Sequence, residues 1–224
     1  MTISTNPRDD NWSGEWIATK IREHDNVKTV SAVHSNLVRV ERVKGGAVNV
    51  ATMSVRDVDA AAVRELLRGS DDIDFVVNIS KDAYVDGDVY LLAEAESFGF
   101  GGYGDLLGAL SSESPRTYVN KEFTFVLNSI RQHTKVANVT RLDDRRLRID
   151  RNYMEPVTVL VLNEYELAAE HVRNAIRRYG KFQAIVRSNP NGRTTSAAFV
   201  AAQESGINIF TWAEFFKQLN LQWS

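Results

Sequence analysis

The chain has no cysteine, only four prolines in 224 residues, and no apolar run near the roughly 18 residues that a membrane span needs. The first absence excludes disulfides, thiolate metal centres and cysteine nucleophiles. Met1 to Asn11 is polar and lacks the apolar core of a secretion signal. The expectation is therefore a cytoplasmic location with no membrane partner. An excess of one charge is also lacking: 27 Lys and Arg stand against 29 Asp and Glu, net −2, which excludes a wholly basic nucleic-acid coat. Histidine is scarce. His24 and His133 have no second His or Glu at ligand spacing, so no metal site and no cofactor is expected, and both suit the negative end of a helix. Spacing offers no Ser-His-Asp arrangement, and no catalytic residue is assigned. What is present is ordinary globular composition, 43 % apolar and 25 % charged.

The chain repeats itself at an offset of 109 residues. Ile21-Arg22-Glu23-His24 lies over Ile130-Arg131-Gln132-His133, and Val38 to Arg42 lies over Leu147 to Arg151. Val48 and Val50 lie over Val157 and Val159, Val63-Arg64 over Val172-Arg173, and Leu110 over Leu219. No gap is needed from 15–110 to 124–219, and 16 of the 96 pairs are identical. The apolar phase matches at every element, so the two halves, 1–111 and 112–224, are predicted to share one fold. The boundary falls at the Ser/Pro stretch Ser111 to Pro115.

Each half predicts the order α-β-β-β-α-β-α-β-α, an α/β fold with a mixed sheet flanked by helices. The opening helices are expected over Glu15–His24 and Lys121–His133. The second strand alternates (Leu37 to Arg42; Leu147 to Arg151) with arginine on its polar face. The third strand of the second half, Val157-Thr158-Val159-Leu160-Val161-Leu162, is nearly all apolar, which places it at the centre of its sheet. Helices are expected over Asp57–Arg68 and Glu166–Tyr179, with Glu164 and Glu166 as caps, and fourth strands over Ile73–Ile79 and Phe182–Arg187. Asp143 and Asp144 predict a turn. Gly99 to Gly104 is not a phosphate loop, since no Lys-Ser/Thr follows. Its glycines predict close backbone approach.

Charge separates the halves. Residues 1–111 carry 11 Lys/Arg and 18 Asp/Glu, net −7, and residues 112–224 carry net +5. Arginine clusters at Arg141, Arg145, Arg146, Arg148 and Arg151, and again at Arg173, Arg177 and Arg178, with Lys181, Arg187 and Arg193 following. Ser188-Asn189-Pro190-Asn191-Gly192-Arg193-Thr194-Thr195-Ser196 follows a buried strand and precedes a helix, where free amides beside Arg193 suit an anion and Thr194 or Thr195 suits a cap. The candidate nucleic-acid or anion-binding residues are therefore Arg145, Arg146, Arg148, Arg187, Arg193, Thr194 and Thr195. Two readings of the charge stand side by side. Either the second half meets a phosphate backbone, or the basic half meets an acidic one, with the acidic half serving a homodimer or a protein partner.

The meander of three strands followed by a crossover helix to a fourth resembles the restriction-endonuclease-like (PD-(D/E)xK) fold. From the third strand onward, each half is similar to the C-terminal part of Mrr-like type IV restriction enzymes. There a strand such as Asp74-Phe75-Val76-Val77-Asn78 ends in a polar loop, followed by a helix, a short strand and a closing helix like Asp105–Leu110 or Ala213–Leu219. The resemblance implies a nuclease ancestry and a restriction or phage-defence setting. Its chemistry does not carry over. Such nucleases hold Mg²⁺ with carboxylates on the second and third strands and place a lysine beside them. Val48-Asn49-Val50-Ala51-Thr52-Met53 and Val157 to Leu162 hold neither carboxylate nor lysine. The expectation is a pseudo-nuclease associated with nucleic acid, or a non-enzymatic dimerisation or partner-binding scaffold. If the chain is an enzyme, it is a metal-dependent nuclease with a relocated site.

Overall fold

The computed structural model describes residues 12–70 and 72–223. It divides into two compact units, one ending at Asn120 and the other beginning at Lys121.

The first unit opens with α1 (Trp12–Lys20) and a meander, β1 (Val27–His34), β2 (Leu37–Arg42) and β3 (Val48–Met53). Then follow β4 (Asp57–Val58), α2 (Ala60–Leu67), β5 (Phe75–Asn78), β6 (Tyr84–Val85), α3 (Gly87–Glu96), β7 (Gly99–Gly101) and α4 (Tyr103–Ser111). The sheet order is β1-β2-β3-β5-β7, antiparallel through β3 and parallel from there. Short turns serve the antiparallel strands, and the parallel ones need the helical crossovers α2 and α3. β3 alternates its side chains between two layers. Val48 and Val50 pack with Ile17 of α1, Ile21 just beyond it, and Leu106 and Leu110 of α4. Ala51 and Met53 pack on the other face with Val63, Val89 and Leu92 of α2 and α3.

The second unit contains α5 (Lys121–Arg131), β8 (Val136–Arg141), β9 (Arg146–Arg151), β10 (Met154–Leu162), β11 (Glu166–Leu167), α6 (Ala169–Tyr179), β12 (Ala184–Arg187), β13 (Arg193–Thr194), α7 (Ser196–Glu204), β14 (Asn208–Thr211) and α8 (Trp212–Gln218). Its strand order, β8-β9-β10-β12-β14, repeats the first. Apart from β10, each of these elements begins 109 residues after its counterpart. The registers agree as well: Val50 pairs with Phe75 and Val159 with Ala184. The duplication is thus present in strand order, element boundaries and pairing register. β10 starts three residues early because a tight turn at Asn152-Tyr153 replaces the looser loop containing Gly45 and Gly46.

One tie is copied in both units. Arg42 is buried and donates Nε to Gly46 O (2.9 Å) and Nη1 to Ser112 O (2.6 Å). Its counterpart Arg151 donates Nε to Glu155 O (2.9 Å) and Nη1 to Leu221 O (2.6 Å). Each arginine fastens the chain leaving the last helix to the second strand, and multidentate guanidinium geometry suits that task. Arg151 Nη2 is buried without a hydrogen-bond partner, and the guanidinium lies 5.6 Å from the Trp223 ring.

The helices expected from Asp57 and Glu166 begin three residues later. Residues 57–58 and 166–167 instead form two-residue parallel ladders with β6 and β13, tying neighbouring strand-to-helix loops together. Asp59 caps α2, its Oδ1 accepting from Ala62 N (2.7 Å). At α6 the His171 ring accepts from Ala168 N (3.0 Å), so the cap expected of Glu164 or Glu166 falls to another residue. The glycines of β7 do permit close approach: a Cβ at Gly99 would lie 2.5 Å from the Phe75 ring and 2.6 Å from Pro115 O. Residues 115–118 pack on the first unit, where Arg116 Nε donates to Asp74 Oδ1 (2.6 Å) and the Tyr118 ring lies 6.4 Å from that of Phe75.

Candidate functional site

The arginines of β9 lie on its outer face. Leu147 and Ile149 point into the core, while Arg146, Arg148 and Asp150 alternate with them on the other side. Arg148 is half exposed and donates Nε to Asp150 Oδ1 (3.0 Å), and in the first unit Arg39 and Glu41 repeat that pair (3.0 Å). Arg146 serves the fold itself. Its Nε donates to Asp143 Oδ2 (2.7 Å) and its Nη1 to Lys181 O (3.2 Å). Asp143 is fully buried, and its Oδ1 also accepts from the backbone N–H groups of Arg145 (2.9 Å) and Arg146 (2.6 Å). Asp143 and Asp144 do form the expected turn, and it carries a buried ion pair that spacing did not reveal. Arg145 stands half exposed, 3.7 Å from Asp144.

The end of α6 comes to this turn. The Tyr179 hydroxyl donates to Asp144 Oδ2 (2.8 Å). Burial and the Asp144 carboxylate push the Tyr179 phenol well above its ordinary pKa, while the charges of Arg178 and Arg145 act the other way. Arg145 and Arg178, 33 positions apart in sequence, therefore flank one side chain. Arg173 and Arg177, one helical turn apart, are exposed on α6, and Lys181 is exposed just beyond it. Arg177 donates to the neutral Asn174 (2.6 Å), and Arg178 lies 5.3 Å from the Tyr179 ring. Among the described residues none of these four cations pairs with a carboxylate, in contrast to Arg145, Arg146, Arg148 and Arg193. The uncompensated positive charge thus sits on α6 and Lys181 rather than on β9. The composition of 173–181 signalled this, although alternation had pointed to the strand.

The remaining candidates gather in the loop between β12 and α7. Arg193 pairs with Glu166 across the β11–β13 ladder, and Thr194 is a backbone member of that ladder. Thr195 is the cap of α7: its Oγ1 accepts from Ala198 N (3.2 Å) and donates to Leu167 O (3.3 Å). Arg187 is nine-tenths buried beneath the loop, with Nη1 donating to Asn189 O (2.7 Å) and Nε buried without a partner. Gly192 passes so close that a Cβ there would lie 2.6 Å from Arg187 Nη1. In the first unit the same position is Asn78, whose amide is satisfied by Val55 N (3.0 Å) and Val55 O (2.8 Å).

At the carboxyl ends of β10 and β12, Glu122 of α5 accepts from Asn163 Nδ2 (2.7 Å) and Ser188 Oγ (3.0 Å). Glu214 caps α8, with Oε2 accepting from Thr211 N (2.8 Å) and Oγ1 (2.7 Å), and these bonds hold its pKa below the usual value. Among the described residues, no three His, Asp or Glu side chains converge as a cation site. The histidine nitrogens are used locally: His24 Nδ1 accepts from Asn26 N and His133 Nδ1 from Lys135 N, each at 3.2 Å. No described helix is long and apolar enough to cross a membrane. Comparison with family models, with curated proteins and with solved structures finds no match to this chain.

Proposed function

We propose that this chain is a non-catalytic, restriction-endonuclease-like protein that associates with nucleic acid through its second unit. The observation that carries the reading is the set of cations Arg173, Arg177 and Lys181, all exposed, and the partly buried Arg178, which lack carboxylate partners among the described residues at the end of a helix whose counterpart in the first unit is far less basic. At three of the four positions one scaffold carries opposite tendencies: Arg177 matches Arg68, held by Glu65 (2.6 Å), Arg178 matches Gly69, and Lys181 matches Asp72. Four clustered cations make a phosphate-backbone contact without base readout, so binding is expected to be independent of sequence. The non-catalytic part rests on the third strands: β3 carries no carboxylate or lysine, and β10 carries a single carboxylate, Glu155, at its second residue and no lysine.

The test is anisotropy titration of two unrelated labelled duplexes over a salt series. Equal affinities and a steep salt dependence are expected. Changing Arg173, Arg177, Arg178 and Lys181 together to Ala should flatten the slope of log affinity against log salt by up to about 3.6. An unchanged slope, or no binding at low salt, refutes the reading. A second reading, association with another copy of the chain, is favoured by one repeated feature. Leu91 on α3 and Val200 on α7 occupy equivalent positions, and both are more than half exposed. Leu91→Ser with Val200→Ser would then lower the mass on a sizing column without changing duplex binding.

A further inference from the structure

The duplication allows each surface feature of one unit to be compared with its counterpart in the other, and one position differs in kind. In the second unit α6 runs to Tyr179, and Gly180 ends it with a positive φ of 68°. In the first unit α2 stops at Leu67, three positions short of the equivalent of Tyr179, and Gly69, at φ 75°, turns the chain two positions earlier than Gly180 does. Ser70 stands where Tyr179 stands, and Ala51 where Leu160 stands. Tyr179 is buried, and its hydroxyl reaches Asp144, whose counterpart is Ser35. Among the described residues, the counterparts of Tyr179 and Asp144 in the first unit, Ser70 and Ser35, both line a groove of about 310 Å³, whose other walls are Leu37, Ala51 and Leu66 and the polar His34, Asn36 and Glu65.

We infer that this groove is a binding seat for a hydroxyl-bearing six-membered aromatic ring. The second unit's own tyrosine shows the kind of occupant that the scaffold accepts there. Three aliphatic side chains supply apolar walls, and the polar margin lies where the sister unit receives a phenolic hydroxyl. The volume suits a small ligand or one inserted side chain, and it is at the low end of the range for small-molecule sites. Two smaller residues, Ser70 for Tyr179 and Ala51 for Leu160, open the seat, so restoring the larger ones should close it. The seat is on the acidic unit and is independent of the duplex contact proposed above.

The experiment uses the full chain, with 4-methylphenol as the probe, followed by amide chemical shifts. Saturable shifts at Leu37, Ala51, Leu66 and Ser70 are expected, while the matching amides Arg146, Leu160, Ala175 and Tyr179 stay still. Ser70→Tyr and Ala51→Leu should each weaken the probe at least tenfold. Tyr179→Ala should add a second responding site, at the amides of the second unit. N-acetyl-tyrosinamide, run in parallel, separates the two sources of such a ring: tighter binding than the free phenol assigns the seat to a tyrosine of a polypeptide, and equal or weaker binding to a free phenol. The inference is overturned if the wild-type chain shows no saturable shift at these amides, or if the response survives undiminished in both Ser70→Tyr and Ala51→Leu.

Discussion

The buried carboxylate of Asp143 gives the sharpest test of how the second unit is built. It accepts three hydrogen bonds, two from backbone N–H groups and one from the Arg146 guanidinium, with no exposure of its own. Asp143→Ala would strand two backbone donors and leave a largely buried guanidinium without its partner. Removing one member of such a pair costs about 3–5 kcal/mol. Arg146→Leu is the complementary change. It leaves Asp143 its backbone bonds and removes the charge, so a loss of about 2–3 kcal/mol is expected. The first unit has His34 and Leu37 at these two positions. The double change Asp143→His with Arg146→Leu therefore rebuilds a turn that the scaffold already tolerates, and it should recover part of the loss, with a coupling of about 1–3 kcal/mol. Hydrogen exchange read by peptide is the suitable assay, because the segment 146–162 reports the second unit and 37–53 serves as an internal control. A loss of 3–5 kcal/mol corresponds to about two to three and a half orders of magnitude in protection where exchange needs global opening. The reasoning fails if Asp143→Ala costs less than about 1 kcal/mol, or if the double variant is as unstable as the sum of the singles.

Two further outcomes are expected. Glu214 has a folded pKa below its ordinary value of 4.5 because Thr211 donates to it, so its contribution is present above that value and is lost as pH falls through the lower folded pKa. Urea midpoints followed from about pH 5 to about pH 3 should fall less steeply in Glu214→Gln than in the parent chain, and equal slopes would contradict the cap. Arg151→Lys keeps the charge but cannot donate in two directions to Glu155 O and Leu221 O, so exchange in the segment 216–223 should quicken with a cost of about 1–3 kcal/mol. An unchanged exchange rate there would show that the carbonyl tie is without consequence.

Much of the architecture was legible because the repeat doubles each signal. Val38 to Arg42 over Leu147 to Arg151 fixed the phase of β2 and β9, and the apolar run from Val157 to Leu162 placed β10 at the sheet centre. The two-residue ladders at Asp57 and Glu166 were not legible, since a pair of residues carries no periodicity and an acidic residue before a helix has the same composition as a cap. The candidate site was legible in composition and less so in allocation. Alternation distinguishes the inner from the outer face of β9, but it does not show that Arg146 is consumed by Asp143, since the partner lies in the turn and its burial depends on α6 folding over it. Arg187 likewise follows a strand in a loop of turn formers, and only the path of Gly192 across it reveals that the guanidinium is beneath the surface.

The paired arginines Arg42 and Arg151 also date events in the history of the chain. Both copies direct Nε to the carbonyl four residues on and Nη1 to the carbonyl 70 residues on, so the tie was in place in the single ancestral module before it was copied. The buried pair of Asp143 and Arg146, the tyrosine at 179 and the cations Arg178 and Lys181 occur in one copy only, so they mark divergence after the copying. A module that already held its own core and its own terminal tie was free to be copied whole. The two copies then parted in charge and in the residues beside the end of the second helix.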